Sequence, residues 1–233
     1  MTLTDIRLQN FRSYKDMSFE LDGGVNIVVG PNGAGKTNLL EAIMLGCGQR
    51  TYRAKEALVA HGHDWGRVDL HTDENQLRTV KIFHEGGQSR IQNEIDGKTY
   101  AKLPYSQQQP VVLFEPNHLL LLQGEPQLRR NYLDDLLEQL SAYFSKTRAD
   151  YRRVVSQRNR LLKQGSKDRA LVFAWNVRLI ELATKIVFAR KELLKEITQS
   201  LSHTYSAISG KKTNIEIKYS STVDSGDYSA TPL

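Results

Sequence analysis

Apolar and polar residues alternate from the start of the chain. Leu3, Ile6, Leu8 and Phe11 stand between polar neighbours, and Met17, Phe19 and Leu21 repeat the pattern. Period-two alternation predicts two half-buried strands around a turn. Gly23 and Gly24 break the run. Val25–Val29 (VNIVV) is then apolar almost throughout, which predicts a central strand buried on both faces. Past residue 37 the interval changes: Leu39, Leu40, Ile43 and Met44 recur at helical spacing. Residues 49–103 return to period two in RVDLHT, LRTVKIFHE and SRIQNEIDGKTY, with turns at EGGQ and IDGK, and predict an antiparallel sheet. VVLF at Val111–Phe114 reads as another buried strand. Leu128, Tyr132, Leu133, Leu136, Leu137, Leu140, Tyr143 and Phe144 then open a helical run that Tyr151, Val154, Val155, Leu161 and Leu162 continue. A second run holds Leu171, Trp175, Leu179, Leu182, Ile186, Leu193, Leu194, Ile197 and Leu201. Polar KQGSKD separates the two, so an antiparallel helical hairpin or small bundle is expected. NIEIKYS, residues 214–220, alternates again and should return to the sheet.

The predicted strand at Val25–Val29 runs into Gly30–Thr37 (GPNGAGKT), which fits G-x-x-x-x-G-K-[ST], and the helix follows at once. Strand, glycine-rich loop and helix together are the context a phosphate loop requires. Gly30, Gly33 and Gly35 let the backbone curl close to phosphate oxygens, between Pro31, Asn32 and Ala34. Amides of Asn32 to Thr37 are expected to point inward, with the helix dipole behind them. Lys36 supplies an ammonium for the β- and γ-phosphates, and Thr37 a hydroxyl for Mg²⁺. The acid closing VVLF is Glu115. Four apolar residues and an acid also describe a Walker B strand, but Pro116 stands where a second acid belongs, so this strand is read as leading to a loop at the nucleotide's edge. His61 and His63 have no third ligand at a fixed spacing and read as surface residues. Cys47 reads as a small packing residue.

Charge changes the picture more than overall composition does. Residues 1–126 carry 13 Lys and Arg against 15 Asp and Glu, whereas residues 127–233 carry 19 against 11. A near-neutral half that holds a nucleotide is joined to a half of net +8, which suits a polyanion such as nucleic acid and equally suits solvated helix faces. Arg129, Arg130, Arg148, Arg152, Arg153, Arg158, Arg160 and Lys163 lie between the apolar stripes. Arginine at that density can grip phosphates bidentately. A single cysteine excludes a disulfide framework and points to the cytoplasm. No run of 18 apolar residues is present, and the N-terminus lacks the apolar core of a signal peptide.

LQNFRSY at Leu8–Tyr14, GPNGAGKTNLLEAI at Gly30–Ile43, VVLFEPNHLLLLQGEPQLRRNYLD at Val111–Asp134 and YRRVVSQRNRLLK at Tyr151–Lys163 resemble, in order and over nearly the whole chain, the signatures of the RecF family. The resemblance implies an α/β fold: an ATPase head of the ABC and SMC type, with the phosphate-loop strand–loop–helix, an antiparallel β subdomain and an inserted helical arm. Residues 1–126 would be the N-terminal part of the head, 127–208 the arm, and 209–233 the start of a return to the head. It implies ATP and Mg²⁺ on Gly30–Thr37, with Thr37 toward the metal, and DNA, single-stranded or gapped or duplex, which the charge of the second half places on Arg148, Arg152, Arg153, Arg158 and Arg160. It further implies RecO and RecR as partners, an ATP-dependent homodimer, no membrane, and work in replication, recombinational gap repair and SOS induction. The family's serine–glycine signature loop and its LLLDD-like Walker B strand are not found. VDSGDYSA, residues 223–230, is the one late candidate, and it is polar. The expectation is a chain that lacks the C-terminal part of the head and binds ATP without turning it over. A small-molecule phosphate-loop kinase and a transporter ATP-binding subunit are the competing classes. The first lacks a long helical arm and the second requires the signature loop.

Overall fold

The computed structural model describes residues 2–49, 51, 57–85, 88–164 and 169–220. Two compact units divide the chain, residues 1–113 and 114–233. The first is built on a six-stranded antiparallel sheet of β1 (Leu3–Phe11), β2 (Tyr14–Glu20), β3 (Trp65–Thr72), β4 (Leu77–Glu85), β5 (Gln88–Ile95) and β6 (Lys98–Tyr100), in the order β2-β1-β3-β4-β5-β6. Register follows the alternation. Ile6 faces Leu70, Leu8 faces Val68, and Val68 faces Val80, so one face collects Ile6, Leu8, Val68, Leu70, Val80 and Ile82, all buried. IDGK closes β5 on β6 as expected. Asp96 and Gly97 both have positive φ, 48° and 80°, the two left-handed residues that a tight hairpin turn of the favoured hand requires.

Helix α1 (Lys36–Gly46) covers that apolar face with Leu39, Ala42 and Leu45. Its last residue must be glycine. A Cβ on Gly46 would lie 1.9 Å from Leu70 Cδ1, well inside van der Waals contact.

Two expected strands are not formed. Residues 25–29 and 111–114 belong to no strand, and Val25, Ile27 and Val29 are 83–87% exposed. An apolar run buried on both faces needs a neighbour on each edge and a layer on each side, and none of the described residues of the first unit supplies them. The strand half of the predicted strand–loop–helix is therefore absent, while the loop and helix are present.

The second unit is helical: a short α2 (Leu120–Gln123), then α3 (Pro126–Leu140), α4 (Ala142–Lys163) and α5 (Arg169–Ser209). The first predicted run is two helices rather than one. Ser141, with φ −147° and ψ 115°, leaves helical geometry, and its hydroxyl accepts from the Phe144 amide as the cap of α4. Leu133, Leu137, Phe144, Ile186 and Leu193 form the core. Asp134 sits beside it between two arginines: Arg190 forks onto it at 2.7 and 2.8 Å, and Arg148 Nε reaches it at 3.2 Å. NIEIKYS does not return to a sheet. The Ile215 amide donates to Ser202 Oγ at 2.9 Å, and Arg190 donates to the Tyr219 hydroxyl at 3.2 Å. The alternation of this stretch reflects one side turned toward α5. VDSGDYSA, and most of KQGSKD, lie outside the described residues.

Candidate functional site

The loop Gly30–Thr37 ends at the N-terminus of α1, with Gly35 as cap residue at φ 97°, ψ 2°. Left-handed backbone at that point is what turns the incoming loop into the helix axis, and it is open to glycine at low cost. Lys36 folds back over the loop. Its Nζ donates to the carbonyls of Gly30 and Pro31, 2.8 Å each, so the ammonium gathers both ends of the loop. The first amides of any α-helix have no acceptor within it, which leaves those at the start of α1 for an anion. Of the amides expected to point inward, that of Ala34 does otherwise: it donates to Pro31 O at 3.2 Å, closing a turn inside the loop. Thr37 is exposed.

What holds the loop in place comes from the turn between β1 and β2. Arg12 forks onto Glu41 of α1 with two bonds of 2.9 Å, and Thr51 Oγ donates to the same carboxylate. Glu41 is fully buried. Ser13 Oγ accepts from Asn38 Nδ2 at 2.9 Å, and the Tyr14 hydroxyl donates to Gly35 O at 3.1 Å. Arg12, Ser13, Tyr14, Asn38 and Glu41 lie in the two N-terminal signatures, LQNFRSY and GPNGAGKTNLLEAI, but the sequence assigned them no role. The available signal was Glu41 itself, a carboxylate in an otherwise apolar helical stretch, which must find a cation if the stretch is buried.

The far end of α1 meets a second buried cation. Arg78 of β4 donates from Nε to Gly46 O at 3.0 Å, from Nη1 to Gln76 Oε1 at 3.1 Å and from Nη2 to Gln107 O. Burial pushes its pKa down. It places positive charge at the negative end of the helix dipole. Cys47, next in sequence, is buried, and burial pushes its thiol above the ordinary range while the charge of Arg78 acts the other way.

In the second unit the five expected DNA-contacting arginines divide. Arg148 is a correction. Its side chain is only 5% exposed and meets Asp134, Asp135 and Glu138 at 3.2, 2.7 and 3.0 Å. Burial opposes its charge, but the bond to Asp135 and the neighbouring carboxylates outweigh that and raise its pKa. A guanidinium so engaged is a strut between α3 and α4 and not a surface contact. Arg152, Arg153 and Arg160 are exposed on α4. Arg153 lies 3.7 Å from Asp150, too long for a strong bond. Arg158 is half-buried and donates to Asn176 of α5 at 2.6 Å. His61 and His63 stand exposed in the turn after Ala60, and Glu115 donates its amide to His118 Nδ1 at 3.1 Å. Among the described residues no helix is long and apolar enough to cross a membrane.

A family model described as "AAA domain" matches residues 5–220. The protein named "DNA replication and repair protein RecF" from Acidothermus cellulolyticus is 32% identical over 96% of this chain and 62% of its own length. That of Bacillus cytotoxicus is 30% identical over 96% of this chain and 61% of its own. A solved structure described as "Structure of the recombination mediator protein RecF-ATP in RecFOR pathway" superposes with a TM-score of 0.76 at 26% identity, over 91% of this chain and 58% of that one. The chain thus spans about three fifths of the length of the relatives it matches.

Proposed function

The chain belongs to the AAA-domain family and, within it, to RecF, and from that premise we propose that it binds ATP on Gly30–Thr37 and holds DNA along α4. One observation carries the nucleotide reading. The glycine-rich loop meets α1 through left-handed Gly35, with Lys36 bonded across both ends of the loop. That arrangement suits a polyphosphate. A solved RecF neighbour is described as a RecF-ATP structure, which supports the choice of nucleotide.

Mg²⁺ fits the same site through the Thr37 hydroxyl. Among the described residues no three His, Cys, Asp or Glu side chains gather to hold a metal by themselves. The ion would therefore rest on Thr37, nucleotide oxygens and water, the oxygen-rich shell that Mg²⁺ prefers. Bound there, it would neutralise charge between the β- and γ-phosphates.

For DNA, the support is the net charge of +8 on residues 127–233 together with the exposure of Arg152, Arg153 and Arg160 on one helix. A role in replication and gap repair, RecO and RecR as partners, and an ATP-dependent homodimer complete the proposal, on the strength of the family. The decisive experiment is calorimetric titration of ATP. Lys36→Ala should weaken binding by about 1.5–3 kcal/mol, roughly 10- to 150-fold, since a charged contact is lost. Equal affinities for the two proteins would place the nucleotide elsewhere.

A further inference from the structure

We propose that the turn Arg12–Ser13–Tyr14 is the positioning element of the phosphate loop, and that the Tyr14 hydroxyl aims the Lys36 amide at the bound phosphate. The proposal rests on reading Gly30–Thr37 as the nucleotide site.

Three consecutive residues of one turn reach three points of the loop–helix junction: Arg12 takes Glu41, Ser13 takes Asn38, and Tyr14 takes Gly35. The turn is itself fixed. Arg12 has φ 54°, its amide donates to Leu58 O at 2.8 Å, and Phe11 and Tyr14 on either side are buried. The turn also fills the space beside the hinge glycine. A Cβ on Gly35 would stand 2.8 Å from Ser13 Oγ and 3.0 Å from the Tyr14 ring and hydroxyl.

The Gly35 carbonyl receives two donors, the Leu39 amide at 3.0 Å and the Tyr14 hydroxyl at 3.1 Å. The first is the ordinary helical bond. The second comes from outside the helix, on a ring held edge-on against Phe19 at 5.8 Å and 83°. A peptide unit is planar, so fixing the Gly35 carbonyl also fixes the N–H of Lys36 at its other end. That amide belongs to the first turn of α1 and has no acceptor within the helix. Tyr14 thus controls the direction of a phosphate-binding donor without touching the phosphate. It is a positioning residue, and the chemistry it serves is the polyphosphate, whatever base is attached.

The test is titration of ATP and of inorganic pyrophosphate into the wild-type chain, Tyr14→Phe, Arg12→Lys, Arg7→Ala and Lys36→Ala. Tyr14→Phe keeps the ring and deletes one hydrogen bond. Affinity for both ligands should fall about 3- to 10-fold, the scale of one neutral hydrogen bond, while the ligand-free thermal midpoint barely moves. The Lys36 amide resonance should shift in ligand-free Tyr14→Phe. Arg12→Lys keeps the charge but loses the fork on Glu41, and should weaken both ligands as well. Arg7 pairs with Asp16 on the exposed side of the same hairpin, so Arg7→Ala should leave affinity and resonance unchanged. Wild-type affinity in Tyr14→Phe, or a loss of affinity matched by Arg7→Ala, would overturn the proposal. Equal affinity in wild type and Lys36→Ala would instead overturn the site reading beneath it.

Discussion

At the scale of the residue, burial decides which charges matter. Arg12 and Glu41 are both withdrawn from water, with 9% and 0% of their side chains exposed. Removing one partner leaves the other's charge unpaired, at a cost of about 3–5 kcal/mol. Arg12→Met should therefore lower the urea midpoint strongly, and the double variant Arg12→Met/Glu41→Met should recover much of the loss. If the double variant were as unstable as the sum of the singles, the pair would not be acting as a unit. Cys47 tests burial from the other side. With its thiol pushed up by desolvation, little reactive thiolate is present near pH 8. Its reaction with a disulfide reagent should be slow in the native protein and should accelerate along the urea unfolding curve. Prompt labelling in the native state would mean that the end of α1 opens locally.

At the scale of the element, the helices show what sequence pattern can and cannot specify. Helix α1 meets the guanidinium of Arg78 at its C-terminal end, so the negative end of its dipole faces positive charge, and the proposed phosphate would complement the other end. Arg78→Met would leave the Gly46 and Gln107 carbonyls without that donor and should cost about 1–3 kcal/mol by chemical denaturation. On α4, Arg152→Glu, Arg153→Glu and Arg160→Glu should each weaken duplex binding and flatten its log–log salt dependence by about one unit, with stability unchanged. Arg148→Ala should do the reverse and lower the thermal midpoint, because Asp134, Asp135 and Glu138 lose their shared cation. The hairpins were legible from alternation and from turns such as Asp96–Gly97, and the glycine-rich loop running into α1 from its spacing, because those signals are local. The division of the arginines was not. Whether Arg148 or Arg152 faces α3 depends on how α4 restarts after Ser141, and that break carries only a serine as its mark. Val25–Val29 misled for a related reason. An apolar run states a preference for burial, and a strand forms only where another element meets it.

At the scale of the whole molecule, two consequences follow from what is covered and what is not. Val25, Ile27, Val29, Val112 and Phe114 present large apolar side chains to water, and such surface favours association. The chain should bind a hydrophobic dye while folded and should sediment faster as concentration rises, and Val25→Thr with Val29→Thr should reduce both effects. Unchanged dye binding in that variant would place the sticky surface elsewhere. The second consequence concerns heat. The apolar cluster of the first unit and that of the second share no residue. Each can melt by itself, and all-or-none unfolding of the whole chain is not required. Calorimetry should resolve two endotherms. A ligand that binds one folded unit raises only that unit's transition, by about 2.7 kcal/mol at a hundredfold excess over Kd. ATP should therefore move one peak and duplex DNA the other, and a single peak displaced by either ligand would mean that the two cores melt as one.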